Sequence, residues 1–295
     1  MAVIQERVAL SVDKILFATD FSASSEKAIA YARALARRFG SVLQLSHVFD
    51  PSVVSTYEGA IVGFTVEERR RASIEDLERL RDSFGDTGVR TRAMVAEGHH
   101  PAKAILRLAK EQHADMIVLG TASKTGMTRV LLGSTAEYVI RNAECPVLTV
   151  GPNAARPAAD PLVFERMVYC TDFSPEAAKA ASVALSLAEE CGAKLHVCYV
   201  EDLELTDGVR RKMLDKGFKE ALERLIPESA HEWCTPECTV ERGGAAEGIL
   251  ALAKRVNADL IVLGARKASF WLDHMTHGLT PSVLAEARCP VLTVS

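Results

Sequence analysis

Short apolar runs alternate along this chain with longer stretches in which apolar residues recur every three or four positions. The runs read as strands: Lys14 to Thr19, Val42 to Val48, Val89 to Val95, Met116 to Leu119 and Pro146 to Val150. The stretches between them predict amphipathic helices. Ser22 is placed to cap a helix running to about Phe39, with Ala28, Ala32, Leu35 and Ala36 on one face and Gly40 as its stop. Thr65 to Phe84 is charged and helical, with Ile74, Leu77 and Leu80 as its buried stripe. Pro101 to Gln112 opens on proline in its first turn, and Ser134 to Asn142 is the last helix of the set. Strands alternating with helices predict an α/β fold with a doubly wound parallel sheet, covered on both faces by right-handed crossovers.

The whole pattern then returns. Ala114-Asp115-Met116-Ile117-Val118-Leu119-Gly120 comes back as Ala258-Asp259-Leu260-Ile261-Val262-Leu263-Gly264. Cys145-Pro146-Val147-Leu148-Thr149-Val150 comes back as Cys289-Pro290-Val291-Leu292-Thr293-Val294, and Thr19-Asp20-Phe21-Ser22 as Thr171-Asp172-Phe173-Ser174. A repeat of this length means two tandem copies of one domain. Residues 1–151 form the first, 152–165 a linker rich in proline and alanine, and 166–295 the second. The second copy is shorter by about eight residues, and the loss is expected where copy one has Pro51 to Phe64.

Composition narrows the classes. A length of 295 residues suits two ordinary domains, and 48% apolar with 25% charged residues describes a globular chain. The formal charge of −4 shows no nucleic-acid footprint. No apolar run approaches a membrane span, and Glu6 and Arg7 break the start of the chain, so neither a membrane nor a secretory signal is expected. Seven scattered cysteines suggest reduced thiols and a cytoplasmic setting.

In open parallel sheets, ligands bind beyond the carboxyl ends of the strands. Three stretches of copy one should meet there: Ala18-Thr19-Asp20, His47-Val48, and the long loop from Gly120 through Ala122, Ser123, Lys124 and Arg129 to Gly133-Ser134-Thr135. Gly133-Ser134 opens a helix, whose N–H groups and dipole favour an anion. Asp20 is placed to accept from a ribose hydroxyl, and Lys124 and Arg129 to offset phosphate charge. The plainer alternative is a loop with glycines for its turns and a serine that only caps its helix.

These motifs, in this order, are similar to the universal stress protein family, and the likeness spans essentially the whole chain as two family domains. The family's ATP signature, G-x2-G-x9-G-[S/T], is met by Gly120 and Gly133-Ser134, with Ser123 where the second glycine belongs. The resemblance implies that Asp20 holds the ribose and Val48 lines the adenine pocket. It also implies that Pro146 to Val150 and Pro290 to Val294 pair the two domains. The expected architecture is therefore two five-stranded domains, flavodoxin-like or of the nucleotide-binding α-hydrolase type, packed as an intrachain pseudo-dimer. Association of two chains into a homodimer stays open. The implied function is a cytoplasmic ATP-binding stress or regulatory protein, with ATP and magnesium in the first domain and an unidentified protein partner.

Copy two keeps the strands and loses the loop. Lys267 stands for Ser123, His277-Gly278 for Gly133-Ser134, and Phe270 and Trp271 lie between. Copy two is therefore expected not to bind nucleotide. His274 and His277 with Asp172 are weak candidates for a metal site, as are His231, Cys234 and Cys238, which lack an evident fourth ligand. No nucleophile–base pair, P-loop or hydrolase elbow is present in the sequence. Catalytic residues are therefore not expected. A slow ATP-hydrolysing enzyme, or a module using copy two's loop for a non-nucleotide ligand, are the alternatives.

Overall fold

The computed structural model describes residues 11–52, 56–57, 60–61, 65–85, 87–121, 132–202, 208–234, 236–265 and 279–295. Copy one runs β1 (Lys14–Thr19), α1 (Ala23–Phe39), β2 (Val42–Phe49), a small hairpin of β3 (Thr56–Tyr57) and β4 (Ala60–Ile61), and α2 (Val66–Asp82). It continues with β5 (Arg90–Glu97), α3 (Pro101–Glu111), β6 (Met116–Gly120), α4 (Ser134–Asn142) and β7 (Val147–Val150). Copy two runs β8 (Arg166–Cys170), α5 (Pro175–Cys191), β9 (Lys194–Glu201), α6 (Gly208–Glu223) and a 3-10 turn (Glu228–Glu232). It ends with β10 (Glu237–Arg242), α7 (Ala245–Arg255), β11 (Leu260–Gly264), α8 (Leu279–Glu286) and β12 (Val291–Val294). The connection before α6 is residues 202–207, against 50–65 before α2, so the shortening falls where expected.

The ten long strands make one sheet in the order β10-β9-β8-β11-β12-β7-β6-β1-β2-β5. Counted along its own sequence each half is 3-2-1-4-5, the first five strands of the 3-2-1-4-5-6 dinucleotide-binding order rather than the 2-1-3-4-5 of flavodoxin. Pairing is parallel throughout except between β7 and β12, which run antiparallel with Leu148 opposite Leu292. Those two leucines are equivalent positions of the repeat, so the pseudo-twofold axis passes between them. Gly151 serves this junction: a Cβ there would lie 2.4 Å from the Leu284 carbonyl oxygen.

Alternation along the strands builds two cores. Ile15 and Phe17 of β1 face α1 and α2, while Leu16 and Ala18 face α3 and α4, and the same division continues through copy two. Each core thus crosses the junction between halves. The repeated Ala-Asp has a structural purpose in both copies. Asp115 Oδ2 accepts from the Lys14 N–H at 2.9 Å, and Asp259 Oδ2 accepts from the Glu165 N–H at 2.8 Å, tying the starts of neighbouring strands. Burial pushes the Asp259 carboxyl up, and these backbone donors only partly oppose it.

Helix limits follow ordinary rules. Gly40 and Gly192 end α1 and α5 in the left-handed region, at φ 66° and 63°. Thr65 and Glu68 form a reciprocal capping box at α2. One expectation changes. Of the α2 stripe only Leu77 is fully buried, because α2 lies on the sheet edge. The segment 152–165, expected as a semi-stiff linker, is held against copy one. Lys27 Nζ donates to the Pro152 oxygen at 2.6 Å, Tyr31 to the Ala155 oxygen at 3.0 Å, and Leu162 and Phe164 are buried.

Candidate functional site

The order of strands reverses between β1 and β6, and a cavity of about 470 Å³ opens beyond their carboxyl ends. Ala18, Thr19, Asp20, His47, Val48, Gly120, Gly133, Ser134 and Thr135, all expected there, line it. Ala122, Ser123, Lys124 and Arg129 lie outside the described residues, as do His274 and His277. Seven further residues complete the wall: Ser25, Ser46, Pro101, Ile105, Leu119, Leu132 and Ala136. Most of these come from α3, the approach to α4 and the sheet floor, and make one end of the cavity apolar. Only the crossing of helices over the sheet brings them there.

The polar end has two parts. Gly133 takes the N-cap position of α4 with φ −62° and ψ 139° and no side-chain cap, and the start of that helix lines the cavity. Asp20 lines it as well. Its Oδ1 accepts from the Ser22 N–H at 3.0 Å, the Ser22 hydroxyl at 2.5 Å and the Ser25 hydroxyl at 2.7 Å. Burial pushes this carboxyl up, but the hydrogen bonds from Ser22 and Ser25 outweigh burial and hold it below the usual carboxylate value. His47 Nδ1 lies 2.9 Å from the Thr19 carbonyl oxygen and must donate to it, so a neutral ring keeps Nε2 as an acceptor. Phe21 packs on the His47 ring at 4.7 Å.

Gly120 has a packing duty besides its place in the cavity wall. A Cβ there would sit 2.5 Å from the Ser24 carbonyl oxygen, and one on Gly264 would sit 2.6 Å from the Ala177 nitrogen. Both glycines let a helix start press against a strand end, which is a demand of the fold in both copies.

The equivalent region of copy two is built otherwise. Cys170, Ala177, Cys198 and Tyr199 replace Ala18, Ser25, Ser46 and His47. Tyr199 stacks between Phe173 and Phe218, at 5.2 and 4.4 Å between ring centroids. A Cβ on Gly248 would lie 2.8 Å from Val200 Cγ1, so α7 rests directly on the counterpart of Val48. Among the described residues no group of three or more His, Cys, Asp or Glu side chains is arranged to hold a metal. His231 and Cys238 instead line a separate hollow of about 580 Å³ with Lys219 and Glu223. Burial pushes the Cys238 thiol up to about 11 and raises Cys234 as well.

A family model described as the universal stress protein family matches residues 11–151 and again 164–295. The chain belongs to the universal stress protein family. A universal stress protein of Methanocaldococcus jannaschii is 36% identical over 141 residues, covering 46% of this chain and 81% of its own. One from Mycolicibacterium smegmatis is 26% identical over 297 residues, covering 95% of this chain and 96% of its own, and so shares the tandem layout. Among solved structures, a universal stress protein from Archaeoglobus fulgidus superposes with a TM-score of 0.72 at 20% identity, covering 95% of both chains. That likeness concerns the fold. Within this universal stress protein, sequence reasoning overlooked Ser25, although a signal existed: Thr-Asp-Phe-Ser-x-x-Ser in copy one becomes Thr-Asp-Phe-Ser-x-x-Ala in copy two.

Proposed function

We propose that this universal stress protein binds one ATP per chain, in the cavity of its first half, and works as a nucleotide-dependent regulatory switch. The observation that carries this reading is a single cavity with an apolar end, a carboxylate and an uncapped helix N-terminus. Ala18, Val48, Ile105 and Leu132 suit the face of a base, Asp20 a ribose hydroxyl, and the start of α4 a phosphate. A carboxylate engaged by three donors and held acidic is a poor general base, which favours binding over hydrolysis. Magnesium would travel with the triphosphate, held by phosphate oxygens and water. In copy two α7 rests directly on Val200, the counterpart of Val48, so no second nucleotide is expected. All seven cysteines are free, which suits a reducing cytoplasm, and no helix among the described residues is long and apolar enough to cross a membrane.

Calorimetry with magnesium and ATP on the full chain tests the reading. One nucleotide per chain, lost in Gly133→Val, is the expected result. Binding of two nucleotides, or of none, overturns it.

A further inference from the structure

The two copies build the turn after their first strand from the same four residues and use its serine differently. In both, the threonine hydroxyl accepts from the phenylalanine N–H at 2.9 Å, and the aspartate accepts from the serine N–H at 3.0 Å. In both, the phenylalanine sits at positive φ, 58° for Phe21 and 60° for Phe173. The serine backbones also agree, with φ −75° and ψ 164° at Ser22 against −71° and 161° at Ser174.

The hydroxyls do not agree. Ser174 Oγ accepts from the Ala177 N–H at 3.2 Å, the usual N-cap of a helix. Ser22 Oγ makes no cap bond and donates to Asp20 Oδ1 instead. Ser25, which is 5% exposed, donates to that same oxygen, where copy two has an alanine with nothing to give. Copy one thus forgoes a stabilising bond at the start of α1 and directs two hydroxyls onto one carboxylate oxygen. Departures of this kind from a local rule are expected where function needs a fixed group. With Oδ1 occupied three times over, Oδ2 has no partner among the described residues, and Asp20 lines the cavity.

We propose that Ser22 and Ser25 are positioning residues, which pin Oδ1 of Asp20 so that Oδ2 faces the paired 2′ and 3′ hydroxyls of a bound ribose. The proposal rests on the nucleotide reading of the cavity and adds what makes copy one selective for a ribonucleotide. A carboxylate fixed through one oxygen loses little freedom on binding, and a freely rotating one loses more.

The test compares ATP with 2′,3′-dideoxy-ATP by calorimetry on the full chain. The wild type should prefer ATP by about tenfold or more, as expected for hydrogen bonds to a charged group. Ser25→Ala should weaken ATP about tenfold and leave dideoxy-ATP unchanged, so that the preference collapses. Ser25→Thr, which keeps the hydroxyl, should restore the preference, and Ser22→Ala should reduce it in the same sense. Ser174→Ala should alter neither affinity. A wild type that binds ATP without preference overturns the proposal. So does a Ser25→Ala protein, or a Ser22→Ala protein if the first fails to fold, that loses both ligands equally or keeps its preference. A wild type that binds neither ligand removes the nucleotide reading itself, and the proposal with it.

Discussion

Residues 18–20 and 46–48 of copy one, and residues 170–172 and 198–200 of copy two, occupy the same places on the same pair of parallel strands. In copy one they carry Ala18, Asp20, Ser46, His47 and Val48 and border an open cavity. In copy two Cys170, Cys198 and Tyr199 stand there, with Phe218 stacked on Tyr199 and α7 resting on Val200. The difference separates two kinds of constraint. Residues that satisfy backbone groups or permit close approach are kept in both: Asp115 and Asp259, Thr19 and Thr171, Gly120 and Gly264. Ser25, Ser46 and His47, which line the cavity of copy one, are replaced in copy two by Ala177, Cys198 and Tyr199. A repeat that agreed everywhere would have hidden this distinction.

The strongest test of the shared part is a methyl group. Gly120→Ala and Gly264→Ala should each cost about 3 kcal/mol or more, because backbone of the facing helix cannot yield to an added Cβ. Urea unfolding measures both, and a Gly120→Ala protein as stable as the wild type would show that copy one does not need the close approach. Next in size is the carboxylate pair. Asp20→Ala should weaken ATP by about tenfold to a hundredfold, and Asp172→Ala should leave ATP binding untouched. Equal losses would show that both halves bind.

A smaller difference lies in the caps. Ser174→Ala removes a true N-cap and should cost about 1 kcal/mol. Ser22→Ala removes no cap bond, so the unliganded protein should lose less, and thermal unfolding of the two variants would compare them. The smallest effect is on acid stability. The folded protein holds Asp20 below its unfolded value of about 3.9, so its contribution is complete above that value. It is lost as pH falls through the lower folded value. Asp20→Asn should therefore soften the fall in urea midpoint below about pH 4 and leave its slope above that pH unchanged.

Much of the fold was legible because it depends on local pattern. The run Met116 to Leu119 has no polar position to expose, so it became a strand buried on both faces. Gly40, Gly192 and the Thr65-Glu68 box mark helix ends through backbone needs that single residues meet. Nine of the residues chosen for the site also line its cavity, since strand ends and a helix start can be placed from pattern alone. The apolar wall was less legible. Pro101, Ile105 and Leu132 read as ordinary helix or loop residues until α3 and α4 cross the sheet beside Val48. Ser22 was legible in position and not in bonding. A serine at an N-cap normally turns to its own helix, and only the nearness of Asp20 and Ser25 decides otherwise.

By itself, the sequence determined two copies of a five-stranded α/β unit, their strand and helix limits, and the stretches that meet at the carboxyl edge of the first sheet. These follow from hydrophobic period, from turn residues and from the identity of the repeat, all of which act over a few neighbouring positions. The tertiary structure decided that Leu148 meets Leu292 across an antiparallel junction, making one ten-stranded sheet from two halves. It also decided that a cavity opens beside Val48 while α7 rests directly on Val200, and that two serine hydroxyls converge on one oxygen of Asp20. Register, helix-to-sheet distance and hydroxyl direction depend on atoms brought together from distant parts of the chain, and no local pattern encodes them.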